Sequence, residues 1–187
     1  NTIFIFTSDN GGYGGVGREG SNGPWRGGIY TSYEGAYRVP FLIRWPGKIP
    51  AGRKSNEMAH AMDVYATLAS MVGAKIPTDR VMDSADHSDF LMGKTEKSAR
   101  ESLVLYVGQE VFGVKWRNWK MLYKEIEWIG APITIRTRPA YYNLLKDPQE
   151  REPIKHHVTD TWVSQPLGRA LSEHRASLAA DPGTPDP

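Results

Sequence analysis

The sequence predicts an α/β core followed by a small antiparallel sheet and a closing helix. Three observations carry that expectation. Residues Thr2 to Phe6 form an apolar run of β-branched and aromatic residues without polar alternation, the pattern of a strand buried on both faces. Asp63 to Gly73 sets Val64, Leu68 and Met71/Val72 at helical spacing. Between Leu103 and Leu145 short apolar segments follow one another closely, as strands of an antiparallel sheet do.

The elements are justified in chain order. Thr2 to Phe6 is the first strand and Val39 to Trp45 the second, with a glycine-rich connection between them that holds ten Gly from Gly11 to Gly35. So long a connection, set with Tyr13, Trp25, Arg26, Tyr30, Tyr33 and Glu34, reads as an ordered site loop rather than a linker. Pro46-Gly47 and Pro50-Ala51-Gly52 mark a turn. Asp63 is placed to cap the helix that follows, and Gly73 to end it. The acidic stretch Asp79 to His87 reads as turn and cap residues, because it lacks the spacing and the glycine of a calcium loop. Strands are then expected over Leu103–Val107, Val111–Trp116, Trp119–Tyr123 and Tyr141–Leu145, with Arg117-Asn118 as a hairpin turn. Leu167, Leu171, His174 and Leu178 define a helix within 163–180, and a Pro/Gly-rich tail closes the chain. This divides the sequence into residues 1–98, the α/β part, and 99–187, a small antiparallel subdomain with its terminal helix.

Composition bounds the function. With 187 residues, 40% of them hydrophobic and 11% aromatic, the chain can bury a core and is not a disordered segment. No apolar run approaches the roughly 18 residues that span a bilayer. A formal net charge of +2 with interspersed signs offers no basic stripe, which argues against nucleic acid as a partner. The absence of Cys excludes disulfides, Cys-ligated metals and a thiol nucleophile in this chain.

The sharpest chemical signal is Thr7-Ser8-Asp9-Asn10-Gly11-Gly12, directly after the first strand. Ligands in α/β folds gather beyond the carboxyl ends of strands. Asp9 is a hard anionic oxygen donor and Asn10 a neutral one, a pair suited to Ca²⁺ or Mg²⁺, although two ligands alone do not hold a cation and Asp-Asn-Gly also reads as a turn. Among the loop residues, Arg26 reads as a loop-anchoring ion-pair partner or an anion contact. Trp25, Tyr13 and Tyr30 read as lining for an aromatic slot or as packing, and Glu34 and Arg38 as an i,i+4 pair. His60 reads as a surface or capping residue with a site role as the alternative, and His87, His156, His157 and His174 show no ligand spacing.

Taken with Thr7-Ser8-Asp9-Asn10-Gly11, the string from Asn22 to Gly47 (Asn-Gly-Pro-Trp-Arg-Gly-Gly-Ile-Tyr-Thr-Ser-Tyr-Glu-Gly-Ala-Tyr-Arg-Val-Pro-Phe-Leu-Ile-Arg-Trp-Pro-Gly) closely resembles the type I sulfatases, the arylsulfatase family of the alkaline phosphatase superfamily. The likeness continues through the helix Asp63 to Gly73, the acidic segment Asp83 to Gly93, the strands of Lys115 to Tyr123 and the turn Tyr142 to Glu150. It implies the C-terminal portion of an alkaline phosphatase-like α/β domain. It implies hydrolysis of an aryl or carbohydrate sulfate ester, with Asp9 and Asn10 as ligands of Ca²⁺ or Mg²⁺. It also implies a formylglycine nucleophile made from a Cys or Ser in Cys/Ser-x-Pro-x-Arg. That motif is not in this chain: Ser164-Gln165-Pro166-Leu167-Gly168-Arg169 has one residue too many before the Arg. Nucleophile and remaining acidic ligands are therefore expected from a further N-terminal sulfatase segment, with 187 residues corresponding to the downstream third or so of the domain.

A second departure is Ile29, where the family commonly has a sulfate-contacting Lys; Arg26 is a candidate to replace it, and Trp25 and His60 are the other candidate substrate-binding residues. A phosphodiesterase or phosphonate hydrolase of the same superfamily, or a non-catalytic binding domain, are the alternative readings. The resemblance leans towards a periplasmic or secreted setting, without a compartment signal in the sequence itself.

Overall fold

The computed structural model describes residues 1–13, 20–154 and 162–182. Its elements run β1 (Phe4–Thr7), α1 (Glu34–Tyr37), β2 (Phe41–Arg44), α2 (Asp63–Val72), α3 (Ser88–Leu91), β3 (Ser102–Val107), β4 (Glu110–Trp116), β5 (Trp119–Glu125), β6 (Thr134–Asn143) and α4 (Ser164–Ala180). Residues 1–6, 41–101 and 177–187 cluster as one compact unit and residues 7–40 and 102–176 as a second. The cut after residue 101 lies close to the boundary expected at 98/99, but the glycine-rich loop clusters with the antiparallel sheet and not with the strands it connects.

In the first unit β1 pairs with β2 in a two-stranded sheet. The expectation of a strand buried on both faces is corrected here: Phe4 and Phe6 are 59% and 55% exposed, and Phe41 and Leu42 of β2 are open as well. Alternate β1 residues Ile3 and Ile5 line an apolar groove with Tyr65, Leu68, Ala69 and Val72 of α2. The face of α2 also differs from the expected Val64/Leu68/Met71 stripe. Its buried residues are Asp63, Ala66 and Thr67, because a polar hub and not an apolar seam anchors this helix. Gly73 does end α2, in the left-handed conformation (φ 74°) that no β-carbon opposes.

Asp63 is not the N-cap. Met62 holds that position, without a side-chain bond. The Asp63 carboxylate instead accepts the amides of His60 (2.8 Å) and Ala85 (2.9 Å), the His87 Nε2–H (3.0 Å) and two N–H groups of Arg100 (2.8 and 2.5 Å). His87 Nδ1 accepts the Ala99 amide at 3.3 Å, which leaves the proton on Nε2 for Asp63. The acidic stretch thus serves the fold as read, with His87 at its end buried as a structural ligand of Asp63.

The second unit is a four-stranded antiparallel sheet in the order β3-β4-β5-β6. Trp116 pairs with Trp119 across the Arg117-Asn118 turn, where Arg117 takes a positive φ of 52°. β6 starts at Thr134, well before the expected Tyr141. The register between β5 and β6 slips between Leu122 and Lys124, in the stretch that contains Pro139, whose missing N–H cannot join a regular ladder. On one face Val114 and Met121 pack against Val163, Leu167, Ala170 and Leu171 around the start of α4. Another cluster joins Leu105, Leu122, Ala140, Tyr142 and Leu144 to Tyr33 of the loop. Trp162 meets Trp116 and Trp119 edge-on at 6.0 and 5.9 Å, and His174 of α4 is 2.6 Å from the Tyr106 hydroxyl. His156, His157, part of the glycine-rich loop (14–19) and the tail beyond 182 lie outside the described residues.

Candidate functional site

Asp9 and Asn10 follow β1 in a tight turn built by their own polar groups. The Asn10 amide donates to Asp9 Oδ1 (2.8 Å), and Ser8 Oγ donates to Asp9 Oδ1 (3.3 Å) and to the Asn10 carbonyl (3.0 Å). Asn10 Nδ2 donates to the Gly11 carbonyl at 2.9 Å, which orients its amide and leaves Oδ1 as the outward acceptor. Among the described residues neither Asp9 Oδ2 nor Asn10 Oδ1 takes part in a hydrogen bond. One anionic and one neutral oxygen on adjacent residues therefore remain open. These are hard donors of the kind Ca²⁺ and Mg²⁺ prefer, and they fit a share of such a site; no group of three or more His, Asp or Glu side chains forms a complete one among the described residues.

The turn is latched to the loop by backbone. Gly11 N–H donates to the Ala36 carbonyl (3.0 Å) and Ile29 N–H to the Gly12 carbonyl (3.1 Å). Asn22 bridges both sides: its Oδ1 accepts the Gly12 amide (2.8 Å), while Nδ2 donates to the carbonyls of Gly12 and Gly27 (both 2.9 Å). A β-carbon at Gly11 would run into the Gly35 carbonyl oxygen, and one at Gly35 into the carbonyls of Gly27 and Arg26. Gly11→Ala is accordingly expected to cost about 1–3 kcal/mol through forced displacement of the loop, read as a lower urea midpoint. An unchanged midpoint would show that the two segments can part freely.

Arg26 is committed within the loop's support. Its guanidinium donates to both Glu127 carboxylate oxygens (2.5 and 2.6 Å) and to the Glu150 carbonyl (2.6 Å), and it lies 3.9 Å over the Tyr33 ring. An anion reaching Arg26 would compete with Glu127. Trp25 is stacked under Arg38, whose guanidinium is 4.0 Å from its ring centroid. Ile29 offers no donor from its side chain. Tyr30 beside it is 55% exposed with φ 61°, a conformation that costs a residue other than Gly about 1 kcal/mol or more and that often marks a ligand-facing position.

Beneath the loop lies a buried charge cluster that sequence reasoning read only in part. Glu34 is fully buried and pairs with Arg38 (2.7 Å) as expected, and also with Lys115 (2.5 Å) and Lys120 (3.3 Å). Lys120 and Glu150 are buried too. Lys120 Nζ stands 2.7 Å from Glu150 Oε1, a charge contact not aligned as a hydrogen bond, and Glu150 Oε2 accepts the Glu34 amide (2.6 Å). Burial alone would raise the Glu34 pKa, but Lys120, Lys115 and Arg38 outweigh it and hold the carboxyl well below its ordinary range. For Glu150 burial wins over Lys120, and the nearby Glu34 charge adds to it, so its pKa is raised. Burial likewise lowers Lys115. The available signal was the alternation Trp119-Lys120-Met121, which puts a lysine on the face that Leu122 also buries.

Asp9, Asn10, Trp25 and Arg26 thus fall in one compact unit and are connected through Gly12 and Asn22. His60 falls in the other unit. Its Nδ1 accepts the Met62 amide (3.2 Å), and burial with the neighbouring Arg100 charge lowers its pKa.

Comparison with known proteins places these features in a wider frame. The family model described as Sulfatase matches residues 1–74. The chain is 34% identical to steryl-sulfatase from Rattus norvegicus, covering 97% of this chain and 37% of the relative. It is 31% identical to N-acetylgalactosamine-6-sulfatase from Canis lupus familiaris, covering 99% and 39%. Among solved structures, the PsFucS1 sulfatase from Pseudoalteromonas sp. superposes with a TM-score of 0.89 at 29% identity, over 99% of this chain and 39% of that one. The chain spans somewhat over a third of the length of the relatives it matches.

Proposed function

We propose, since the chain belongs to the sulfatase family, that it forms the cation-bearing, substrate-facing portion of an enzyme that hydrolyses sulfate esters. The observation that carries this reading is the Asp9-Asn10 turn: two open hard oxygens at a strand end, fixed by Gly11 and Gly12 against the loop of Trp25 and Arg26. Asp9 Oδ2 and Asn10 Oδ1 would hold Ca²⁺ or Mg²⁺, which when bound supplies positive charge to the sulfate oxygens. This chain's own part is positional. Asn22 and the two glycines set where the oxygens stand, while the buried Glu34 cluster keeps the loop from relaxing away from them.

The other cation ligands and the formylglycine nucleophile are proposed to come from polypeptide outside this chain, the N-terminal part of the same fold. The open faces of β1 and β2, and the groove of Ile3, Ile5, Leu68 and Val72, are where further strands and helices of that part would pack. Trp25, Arg26 and His60 are retained as candidate substrate contacts, with Arg26 requiring release from Glu127.

The test uses the enzyme assembled with the segment that brings the nucleophile. Asp9→Ala is expected to lower bound Ca²⁺ per chain and to reduce the rate on an aryl sulfate by about 100-fold, the scale of losing one electrostatic stabiliser. Unchanged cation content together with an unchanged rate would refute the assignment, and a faster rate on a matched aryl phosphodiester would move the reaction to phosphodiester hydrolysis.

A further inference from the structure

The connection between β5 and β6 is an apolar projection. At its base Ile126 and Ala131 are buried with Phe112. Its tip is a tight turn in which the Ala131 amide donates to the Trp128 carbonyl at 2.9 Å and Gly130 takes φ 83°. The turn holds Trp128 (63% exposed) and Ile129 out towards solvent, and Ile133 and Ile135 (73% exposed) follow on the returning strand. Four large apolar side chains on one short segment make a patch of the kind that soluble surfaces seldom leave without a use.

Its position gives the patch a partner. Glu127, the residue before Trp128, accepts both Arg26 hydrogen bonds and the Tyr33 hydroxyl (2.9 Å), and the Ile126 amide donates to Ser32 Oγ (3.3 Å). The hairpin is therefore fastened to the same loop that Gly12 and Asn22 fasten to Asp9 and Asn10. Its charges are also matched: Arg26 with Glu127, Arg136 with Glu125 at 2.5 Å, and Lys124 with Glu110. The exposed Arg138 lies further along β6. A tip whose cations are already neutralised attracts neither a polyanionic glycan nor an anionic lipid surface, whereas it favours an uncharged apolar group.

We infer that this hairpin is a specificity element: Trp128, Ile129 and Ile133 receive the uncharged aromatic or alicyclic alcohol portion of the ester and disfavour highly charged saccharide sulfates. The inference rests on the sulfatase reading for the sulfate half of the ligand only. Contact with the alcohol half requires no cation and no nucleophile, so it can be measured on the full 187-residue chain.

The experiment is calorimetric titration of the chain with 1-naphthol, 1-naphthyl sulfate and glucose 6-sulfate in millimolar Ca²⁺. 1-Naphthyl sulfate should bind at least tenfold more tightly than glucose 6-sulfate. The double variant Trp128→Ser/Ile133→Ser should weaken 1-naphthol and 1-naphthyl sulfate at least tenfold and glucose 6-sulfate less than twofold. Since both side chains are exposed, its circular dichroism and melting point should match the parent. Equal affinity of parent and variant for 1-naphthol overturns the inference. So does a concentration-dependent dimer, or sedimentation with neutral phosphatidylcholine vesicles, that the variant abolishes while 1-naphthol binding persists. Asp9→Ala separates the two readings. If it lowers 1-naphthyl sulfate binding while 1-naphthol never binds, the hairpin assignment fails and the sulfatase reading stands. If 1-naphthol binding depends on Trp128 and Asp9→Ala changes nothing, the reverse holds.

Discussion

Lys120→Met is expected to lower the unfolding free energy by about 3–5 kcal/mol, the range for removing one partner from a buried ionic cluster. The lysine ammonium is the only cation within reach of both Glu34 and Glu150 among the described ion pairs, and both carboxylates are buried with it. After its removal Glu34 keeps Lys115 and Arg38, but Glu150 has no cation. The remedy open to Glu150 is protonation, since burial and the Glu34 charge already raise its pKa. A group with a raised carboxyl pKa binds its proton more tightly in the folded state. Its contribution is complete below the unfolded value of about 4.3 and disappears as pH rises through the folded one. The loss caused by Lys120→Met should therefore be smaller at pH 5 than at pH 8, read from urea unfolding at both. Equal losses would mean that Glu150 does not respond to its partner. Lys94→Met, which breaks the exposed pair with Asp89, serves as the contrast, with an expected effect under about 1 kcal/mol.

The second large effect is expected in the other compact unit. Asp63→Asn should cost about 3 kcal/mol, because it strips the counter-charge from Arg100, whose side chain is only 14% exposed, and removes an acceptor from buried His87. Burial pushes the Asp63 carboxyl up, and the Arg100 and His87 hydrogen bonds with the Ala85 and His60 amides more than reverse this, holding it well below the usual range. The sign is then opposite to that of Glu150. Stability from Asp63 is fully present above the unfolded pKa of about 3.9 and is lost as pH falls towards the native value. The parent should lose stability steeply below about pH 4, and Asp63→Asn should flatten that part of the profile in thermal melts. A variant with the parent's acid slope would remove Asp63 from the account.

How much of this the sequence disclosed depends on the range of the interaction. Gly73 as helix terminator, the Arg117-Asn118 turn and the Glu34–Arg38 pair were legible because each is decided within a few residues. The Asp9-Asn10 turn was legible as a motif, and its chemistry came from the resemblance rather than from spacing. What escaped is long-range. Asp63 looked like a cap because nothing local announces Arg100, 37 residues on. Lys120 and Glu150 looked like ordinary surface charges because their burial is produced by a loop over 80 residues upstream of Lys120. β6 was shortened at its start because Pro139 interrupts the alternation while the pairing resumes across the bulge. The hairpin tip was passed over because Trp128, Ile129 and Ile133 are scattered among Gly and Pro, with no period to give them a face.

The open sheet of β1 and β2 sets what happens to this polypeptide in a cell. Phe4, Phe6, Phe41 and Leu42 present the apolar, β-prone signal that holdases and proteases survey, on a sheet of only two strands. Its lifetime without a covering partner would be governed by that triage and not by the folding free energy of the well-packed second unit. Supply of the covering polypeptide, rather than strength of the fold, then becomes the quantity that fixes abundance.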